Sequence, residues 1–294
     1  MAKSREIKGR IKAVKNIQRI TRTMQMIATS KFAKAQQAAV ESKPYTEGLF
    51  DLVGQLASAA EGVDHPLLRP ASGAGGELTL ILTSDRGLCG PYNANVVRTA
   101  LRHLRERGDA IERVELKGKK GASALRFNGV EVAHHYENIG DKPRYEDVEK
   151  IAQDYIDRFA AGEVSAVRVV YMNFISTSRQ KPEVMQLLPF SSERMRDAAS
   201  GEAGEGARGL YEFSPDPASL LTDLLPAAVK AVLFQAFNDA VVSEHVARMI
   251  AMKAATDNAS SMRKSLSSQY NRARQAQITT ELSEIISGSA AQGG

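Results

Sequence analysis

The C-terminal part of the chain contains a long segment without glycine and with proline only at its first position: PAAVKAVLFQAFNDAVVSEHVARMIAMKAATDNASSMRKSLSSQYNRARQAQITTELSEII (226–286). As a single helix it would extend roughly 90 Å at ~1.5 Å per residue. Such a length is typical of a coiled coil, a membrane span or a repeat protein. Lysine and arginine are spread along the segment, and no uncharged apolar stretch reaches the ~18 residues of a membrane span. The segment therefore predicts a coiled-coil helix.

Small and apolar residues of this segment recur at steps of three and four, which average to the period of about 3.5 of a left-handed coiled coil. The predicted seam residues are Met252, Ala255, Ala259, Met262, Leu266, Gln269, Ala273 and Ala276. Because these side chains are mostly small, a partner helix can approach closely, but the apolar contact area is limited. The helix cannot bury its own apolar side chains and needs a partner.

The N-terminal segment predicts a second long helix, from about Ser4 to about Ser42, which ends or kinks at Pro44 and resumes at Glu47–Ala60. Its predicted apolar stripe is Ile7, Ile11, Val14, Ile17, Ile20 or Thr21, Met24, Ile27 and Lys31 or Phe32. We expect the two terminal helices to pair antiparallel, because the domain between them returns the chain to where it left. The alternative is that each helix pairs with a different protein.

Charge is distributed unevenly along the chain, although the net charge is only +5. Residues 1–40 contain ten Lys/Arg and one Glu, whereas residues 41–225 contain 22 Lys/Arg and 28 Asp/Glu. Basic ends around an acidic middle indicate that the ends contact an acidic partner, either nucleic acid or acidic protein loops. The basic residues lack interleaved aromatic residues, and no nucleic-acid-binding module is visible, which favours protein.

Between the two helices, short apolar strands alternate with helical segments. The predicted strands are 77–84, 111–118, 131–136, 165–174 and 184–190. The predicted helices are 94–106, 119–127 and 145–161. This alternation predicts an α/β fold with a mostly parallel sheet and helices on its faces, in other words a Rossmann-like domain.

The expected organisation is a long antiparallel coiled coil of the N- and C-terminal helices plus a central Rossmann-like α/β domain. Its predicted limits are 1–60 for the N-terminal helix, 77–210 for the α/β domain and 211–294 for the C-terminal helix that pairs with 1–60. A glycine-rich segment, 197–209, predicts a mobile loop. We expect Asp216 or Ser219 near the start of the last helix.

The most motif-like stretch is SDRGLCGPYNANV (84–96), which joins the first strand to a helix. Turns of this kind often bind phosphates in α/β proteins, but Gly87 and Gly90 give only G-x-x-G, without the spacing of a dinucleotide loop or a P-loop. A tight structural turn is favoured, and a phosphate-binding enzyme is the alternative. Cys89 is the only cysteine, which excludes an internal disulfide and a cysteine-based metal cluster. The five histidines show no metal-ligand spacing, and no metal or cofactor is expected.

Four stretches closely resemble the gamma subunits of F-type ATP synthases, in the same order and across effectively the whole chain. They are RITRTMQMIATSKFAKAQ (19–36), TSDRGLCGPYNANV (83–96), SEHVARMIAMKAATDNA (243–259) and ARQAQITTELSEIISGSAA (273–291). The resemblance implies a non-catalytic central-stalk rotor. Such a rotor couples proton flow through a ring of c subunits to ATP synthesis or hydrolysis on a ring of alpha and beta subunits.

The resemblance also implies the partners and their contact residues. The partners are the alpha, beta, epsilon and c-ring subunits, with one gamma copy per complex, at the cytoplasmic face of a bacterial inner membrane and without nucleic acid. Contacts with the alpha/beta ring are expected at Arg10, Lys12, Lys15, Met24, Arg248, Gln275, Thr279 and Glu281. Contacts with the c ring and epsilon are expected at Tyr211, Phe213 and Ser214. Ser214 stands where many relatives have an acidic residue.

Overall fold

The computed structural model describes residues 2–59, 65–69, 75–190 and 216–292. The chain forms two compact units, one of residues 1–29 with 248–294 and one of residues 30–247. Two long helices contribute to both units, α1 (Ala2–Ala59) and α5 (Pro217–Gln292). The predicted loop at 197–209 and the expected contact residues Tyr211, Phe213 and Ser214 lie outside the described residues.

Helix α1 continues through Pro44, so the helix does not end at this residue. Proline removes the backbone N–H that would bond to the carbonyl of Val40. Both residues are exposed, with Val40 60% exposed, so water can hydrate that carbonyl. Pro44 is therefore tolerated within the helix at the cost of one hydrogen bond.

Helix α5 begins where its predicted cap stands. Asp216 Oδ1 accepts hydrogen bonds from the backbone N–H groups of Ala218 and Ser219, both at 3.0 Å. Its other oxygen accepts from the Ser219 hydroxyl at 2.6 Å. Because these backbone groups have no partner inside the helix, the Asp216 side chain fixes the first turn.

In the unit of residues 1–29 and 248–294, α1 and α5 pair antiparallel, as predicted. Ser4 Oγ donates to Gln277 Oε1 at 3.1 Å, and Thr256 Oγ1 donates to Thr21 Oγ1 at 2.8 Å. Partners with rising numbers on α1 thus have falling numbers on α5. The most buried α1 residues of this unit are spaced by seven: Val14, Thr21 and Ala28.

The seam follows strict alternation of three and four, so part of the predicted stripe is wrong. On α1, Ile17, Ile20 and Ile27 are 52–54% exposed. The partly buried positions are Gln18 and Gln25, which continue the heptad from Val14. The prediction assigned isoleucines to the seam because they are apolar, whereas the heptad spacing decides which residues face the partner helix.

On α5, the predicted seam residues Met252, Ala255, Ala259, Leu266 and Ala273 are buried or partly buried. Three others are exposed, namely Met262, Gln269 and Ala276. Their places are taken by Arg263, Tyr270 and Gln277, which are partly buried. Long polar side chains can lay their apolar stems in a seam and keep their polar ends in water.

The second unit contains one five-stranded sheet in the order β3-β2-β1-β4-β5. Its strands are β1 (Glu77–Leu82), β2 (Ile111–Lys117), β3 (His134–Tyr136), β4 (Ala166–Phe174) and β5 (Gln180–Leu188). All neighbouring pairs are parallel except β4 with β5. The connection from β4 to β5 is too short for a crossover helix, so this pair is an antiparallel hairpin. The predicted mostly parallel sheet is confirmed.

Helices cover both faces of this sheet. On one face α2 (Tyr92–Arg107) and α3 (Lys119–Phe127) pack on a core that includes Ile81, Leu116 and Val170. On the other face lies α4 (Tyr145–Ala160). It shares a core with the C-terminal part of α1 and the N-terminal part of α5: Leu49, Val53, Leu56, Tyr155, Leu225, Leu233 and Phe237.

The apolar character of α5 is concentrated where the helix is packed. Among the described residues, α5 contains an 18-residue window with mean hydropathy 1.5, long and apolar enough to span a membrane by composition alone. Half of that window is buried inside the protein. A core helix has the same composition, because it too is surrounded by apolar atoms.

Candidate partner-binding surfaces

Five cations form one exposed stripe on α1, hereafter the basic stripe. They recur at steps of four and three: Lys8, Lys12, Lys15, Arg19 and Arg22. This spacing places them on one face of the helix, and all five are exposed. The expected contact residues Lys12 and Lys15 therefore present their charges to solvent.

Arg10 lies away from the basic stripe, because it falls between Lys8 and Lys12 in sequence and points to another side of the helix. Its guanidinium donates to Glu6 Oε1 at 2.7 Å, one helical turn earlier. Both side chains are more than 60% exposed, and such pairs contribute about 0.2–1 kcal/mol. Sequence reasoning grouped Arg10 with Lys12 and Lys15, but the helix separates it from them.

A second apolar stripe on α1 runs beside the seam. It consists of Ile17, Ile20, Met24 and Ile27, again at steps of three and four. Met24 is partly buried, and the three isoleucines are about half exposed. This stripe brings the expected contact residue Met24 into a continuous apolar surface.

The C-terminal end of α5, residues 278–287, is exposed at every position. Thr279 Oγ1 bonds back to the carbonyl of Gln275 at 3.0 Å, and Glu281 Oε1 accepts from Gln277 Nε2 at 2.7 Å. Three large apolar side chains share one face of this end, hereafter the tip: Ile278, Leu282 and Ile285, which are 53%, 56% and 68% exposed. The tip combines an apolar stripe with the expected contact residues Thr279 and Glu281.

Arg248 differs from the other expected contact residues, because only 9% of it is exposed. The adjacent Glu244 and His245 are buried as well, at 3% and 2%. A partner at this point meets little of the Arg248 side chain. The residue lies mainly inside the protein, where a charged group needs hydrogen-bond or ion-pair partners.

The 84–96 stretch forms a tight strand-to-helix turn whose polar groups bond to one another. The backbone N–H of Ser84 donates to Asn93 Oδ1 at 3.0 Å. Asn93 Nδ2 contacts Ser84 Oγ at 2.7 Å and Cys89 Sγ at 3.3 Å. Cys89 is buried, with 2% of it exposed.

The N-terminus of α3 faces this turn, and its backbone donors are occupied. The N–H groups of Lys119, Lys120 and Gly121 donate to Asp85 Oδ1, the Ser84 carbonyl and Thr83 Oγ1 at 3.3, 3.0 and 3.2 Å. A phosphate site at a helix N-terminus needs such donors to be available. The donors at the N-terminus of α3 are therefore not available to a phosphate.

Leu88 in the same turn was not singled out by the sequence. Its φ is 63°, in the left-handed region that side chains other than glycine rarely adopt, and its side chain is 61% exposed. Such backbone conformations cluster at functional sites, which makes Leu88 a candidate contact residue. In the sequence, the only signal for this position is an apolar residue between Gly87 and Gly90 of the turn.

Helix α5 fills the crevice where doubly wound sheets bind ligands, at the carboxyl ends of neighbouring strands. Ser243 Oγ donates to the carbonyl of Met172 near the end of β4, at 3.2 Å. The cavity that remains beside the end of β1 measures about 10 Å³, about the smallest space that holds one water molecule. It is lined by Leu82, Thr83, Tyr92, Lys117, Phe237, Ala240, Val241 and Glu244.

Buried charges in the sheet act as structural pins. Glu115 on β2 is 1% exposed and accepts hydrogen bonds from Arg113, Tyr136 and Tyr155 at 2.6, 2.7 and 2.8 Å. Burial alone would raise the pKa of Glu115, but these hydrogen bonds outweigh it and hold the pKa below its ordinary value. Within the described residues, no group of three or more His, Cys, Asp or Glu side chains is arranged to hold a metal.

The sequence model of one protein family, described as ATP synthase, matches residues 3–292. The ATP synthase gamma chain of Rhodopirellula baltica is 42% identical over 290 residues, which cover 98% of each protein. That of an Anaeromyxobacter species is 40% identical over 296 residues and 99% of each protein. The chain belongs to the ATP synthase gamma chain family.

Solved structures share the fold of this gamma-family chain. A chain in the Euglena gracilis mitochondrial ATP synthase OSCP/F1/c-ring structure has a TM-score of 0.66 at 19% identity, and the match covers 99% of this chain and 95% of that one. A chain of the rotor from the same organism has a TM-score of 0.60 at 16% identity, with 94% and 99% covered. At these identities the likeness concerns the fold alone.

Proposed function

We propose that this gamma-family chain is the non-catalytic central-stalk rotor of an F-type ATP synthase. In this role it couples proton flow through the c ring to ATP synthesis or hydrolysis on a ring of alpha and beta subunits. The observation that carries the proposal is the antiparallel pairing of α1 and α5 over a seam whose most buried residues include Thr21, Ala28 and Ala259. A paired shaft is stiffer than a single helix, and small seam residues keep it thin.

Rotation needs a shaft whose sides differ. On α1 the basic stripe and the second apolar stripe occupy different faces, so each of three identical partners around the shaft meets a different surface. A surface that binds one partner conformation better than another shifts that partner toward it. Turning the shaft passes this bias from partner to partner.

The interface of a rotor must not bind tightly at one angle. Exposed ion pairs contribute about 0–1 kcal/mol each, so a stripe of separate cations gives many weak contacts in place of one strong one. The acidic partner loops inferred from the charge distribution would lie on the beta subunits. Lys12 and Lys15 on the basic stripe, and Arg10 beside it, are the proposed contacts.

The proposal that the chain is non-catalytic rests on its sheet-containing unit. The crevice at the strand ends is filled by α5, and the donors at the N-terminus of α3 are already bonded. Both features speak against the alternative of a phosphate-binding enzyme. We accordingly propose that all nucleotide chemistry occurs on the partner subunits.

The remaining partners are proposed from the family. The foot of the rotor, at Tyr211, Phe213 and Ser214, would contact the c ring and epsilon. The limits 1–60, 77–210 and 211–294 remain the proposed domain division. One copy per complex, at the cytoplasmic face of a bacterial inner membrane, completes the proposal.

The deciding experiment is purification of the tagged chain from its own membranes after mild detergent extraction, followed by an ATPase assay. We expect alpha, beta, epsilon and c subunits to co-purify with ATPase activity, and the isolated chain to hydrolyse no ATP. A chain that purifies alone, or with nucleic acid, would contradict the rotor proposal. Nucleotide binding by the isolated chain would instead support the enzyme alternative.

A further inference from the structure

An acid–amide pair lies on the sheet-facing side of α5, within the unit of residues 30–247. Gln235 Nε2 donates to Asp239 Oδ1 at 3.0 Å, one helical turn apart. Both side chains are only partly exposed. Ser243, one turn further on, bonds to the carbonyl of Met172, so this side of the helix faces β4.

The other polar atom of the same amide, Gln235 Oε1, is buried and has no hydrogen-bond partner among the described residues. An ionised Asp239 carboxylate can only accept hydrogen bonds, so it cannot serve this oxygen. A protonated carboxyl can, because a carboxylic acid and an amide form a ring of two hydrogen bonds. In that ring Gln235 N–H donates to Oδ1, and the Asp239 O–H donates to Oε1.

The surroundings of Asp239 also disfavour its charge. Glu183 on β5 is the charged neighbour that acts on it, and this carboxylate is fixed by a hydrogen bond from Asn173 Nδ2 at 2.9 Å. Of the other titratable groups on these two strands, Arg168 is paired with Glu77 at 3.0 Å, Tyr171 is buried opposite Glu183, and Lys181 is exposed. Burial, with Glu183 adding to it, raises the pKa of Asp239 to about 7, although the Gln235 hydrogen bond acts in the opposite direction.

We propose that Asp239 is a proton-binding site whose protonation removes a charge repulsion between α5 and the β4–β5 hairpin. The neutral carboxyl donates to Gln235 Oε1 and completes the acid–amide ring. Loss of the proton leaves that oxygen beside a carboxylate and sets two negative charges, Asp239 and Glu183, against each other. The packing of α5 against the hairpin therefore weakens when Asp239 loses its proton.

The sign of the effect follows from proton linkage. An unfolded aspartate loses its proton near pH 3.8, whereas folded Asp239 keeps it to about 7. Between these values the folded state binds more protons than the unfolded state, so its stability falls as the pH rises. The contribution is fully present below pH 3.8 and is lost by the time the pH has passed 7.

The direct test is a pH titration of the full chain labelled with ¹³C at the aspartate carboxyl carbons. The Asp239→Asn variant identifies the Asp239 signal, and Asp223→Asn, an exposed site on the same helix, is the matched control. We expect the assigned signal to titrate near pH 7. A midpoint near the ordinary aspartate value would overturn the proposal.

A second test measures the local stability of α5 beside the hairpin. Asn at position 239 preserves the ring as an amide–amide pair but cannot lose a proton. Hydrogen exchange of peptides covering 235–243, corrected for the intrinsic rate, should become faster in the wild type as the pH rises through 7. The increase should be absent in Asp239→Asn and retained in Asp223→Asn. Equal pH dependence in the wild type and Asp239→Asn would overturn the proposal.

Discussion

The hydroxyls of Thr256 and Thr21 are in hydrogen-bond contact across the paired α1 and α5 helices, with 2.8 Å between the oxygens, and Thr256 Oγ1 also lies 2.8 Å from the carbonyl oxygen of Met252. Thr21 in turn donates to the carbonyl of Gln18 at 3.2 Å. The pair lies in a seam that mixes small residues with long polar ones such as Gln18 and Arg263, so apolar burial alone distinguishes poorly between registers. A polar pair at one position fixes the register, because sliding the helices past each other separates the hydroxyls.

Replacing Thr256 by Val should destabilise the paired helices by about 1 kcal/mol, the usual net value of one hydrogen bond. Thr21→Val should cost about the same, and the double variant less than the sum, because both changes remove one interaction. The measurement is the free energy of local opening from hydrogen exchange in peptides around these residues. Strictly additive effects would show that the two hydroxyls are not coupled.

Glu115→Gln should destabilise the sheet-containing unit by about 2 kcal/mol at neutral pH, because the donors Arg113, Tyr136 and Tyr155 then face a neutral amide at a buried position. The lowered pKa of Glu115 means that its stabilisation is present above the unfolded value of 4.5 and is lost as the pH falls through the folded value. Urea unfolding followed by tyrosine fluorescence, at a series of pH values, measures both effects. We expect the variant to approach the wild type in acid, and a constant difference would contradict this account.

The sequence predicted the elements whose pattern is local. Helix α3 has its predicted bounds, and β1, β2 and β4 lie within a residue or two of them, because buried strands and short amphipathic helices show their burial in sequence. Proline at 44 misled, since its effect depends on exposure, which the sequence does not show. The assignment of Ile17 and Ile27 to the seam was wrong because it was made on hydrophobicity alone. The heptad spacing places their neighbours Gln18 and Ala28 in the seam.

The candidate surfaces divide in the same way. The excess of cations at residues 1–40 was visible in composition, and in the structure five of these cations form the basic stripe. The ion pair of Arg10 with Glu6 became visible only with the rotation of the helix. The partners of Glu115 and the burial of Arg248 depend on contacts between residues far apart in sequence, which no local pattern encodes.

Reversing charge on the basic stripe tests the proposed contact with acidic loops. Lys12, Lys15 and Arg19 changed together to Glu should leave the isolated chain folded, because all three side chains are exposed. Assembly with alpha and beta subunits should weaken at least tenfold at low salt. The association constant with purified alpha and beta subunits is the quantity to measure, across a salt series.

The matched control for this prediction reverses three exposed arginines of α2, Arg98, Arg102 and Arg105, which gives the same change of net charge on the other unit. If the stripe acts locally, this control assembles like the wild type. Equal weakening by both triple variants would mean that net charge, and not the stripe, controls association.

The tip of α5 should matter for assembly and not for folding. Ile278, Leu282 and Ile285 are each more than half exposed, so changing them to Ser removes little buried area from the isolated chain. The free energy of unfolding from thermal denaturation should therefore stay within about 0.5 kcal/mol of the wild type. In the assembled enzyme an apolar stripe at a helix end needs an apolar socket, and its loss should lower the yield of complex severalfold. Phe127→Ser, at a 91% exposed site on α3, is the control for loss of a large exposed apolar side chain. Assembly unaffected by the triple change would show that the tip is not gripped by a partner, and a fall in thermal stability of the isolated chain would show that it packs within the chain.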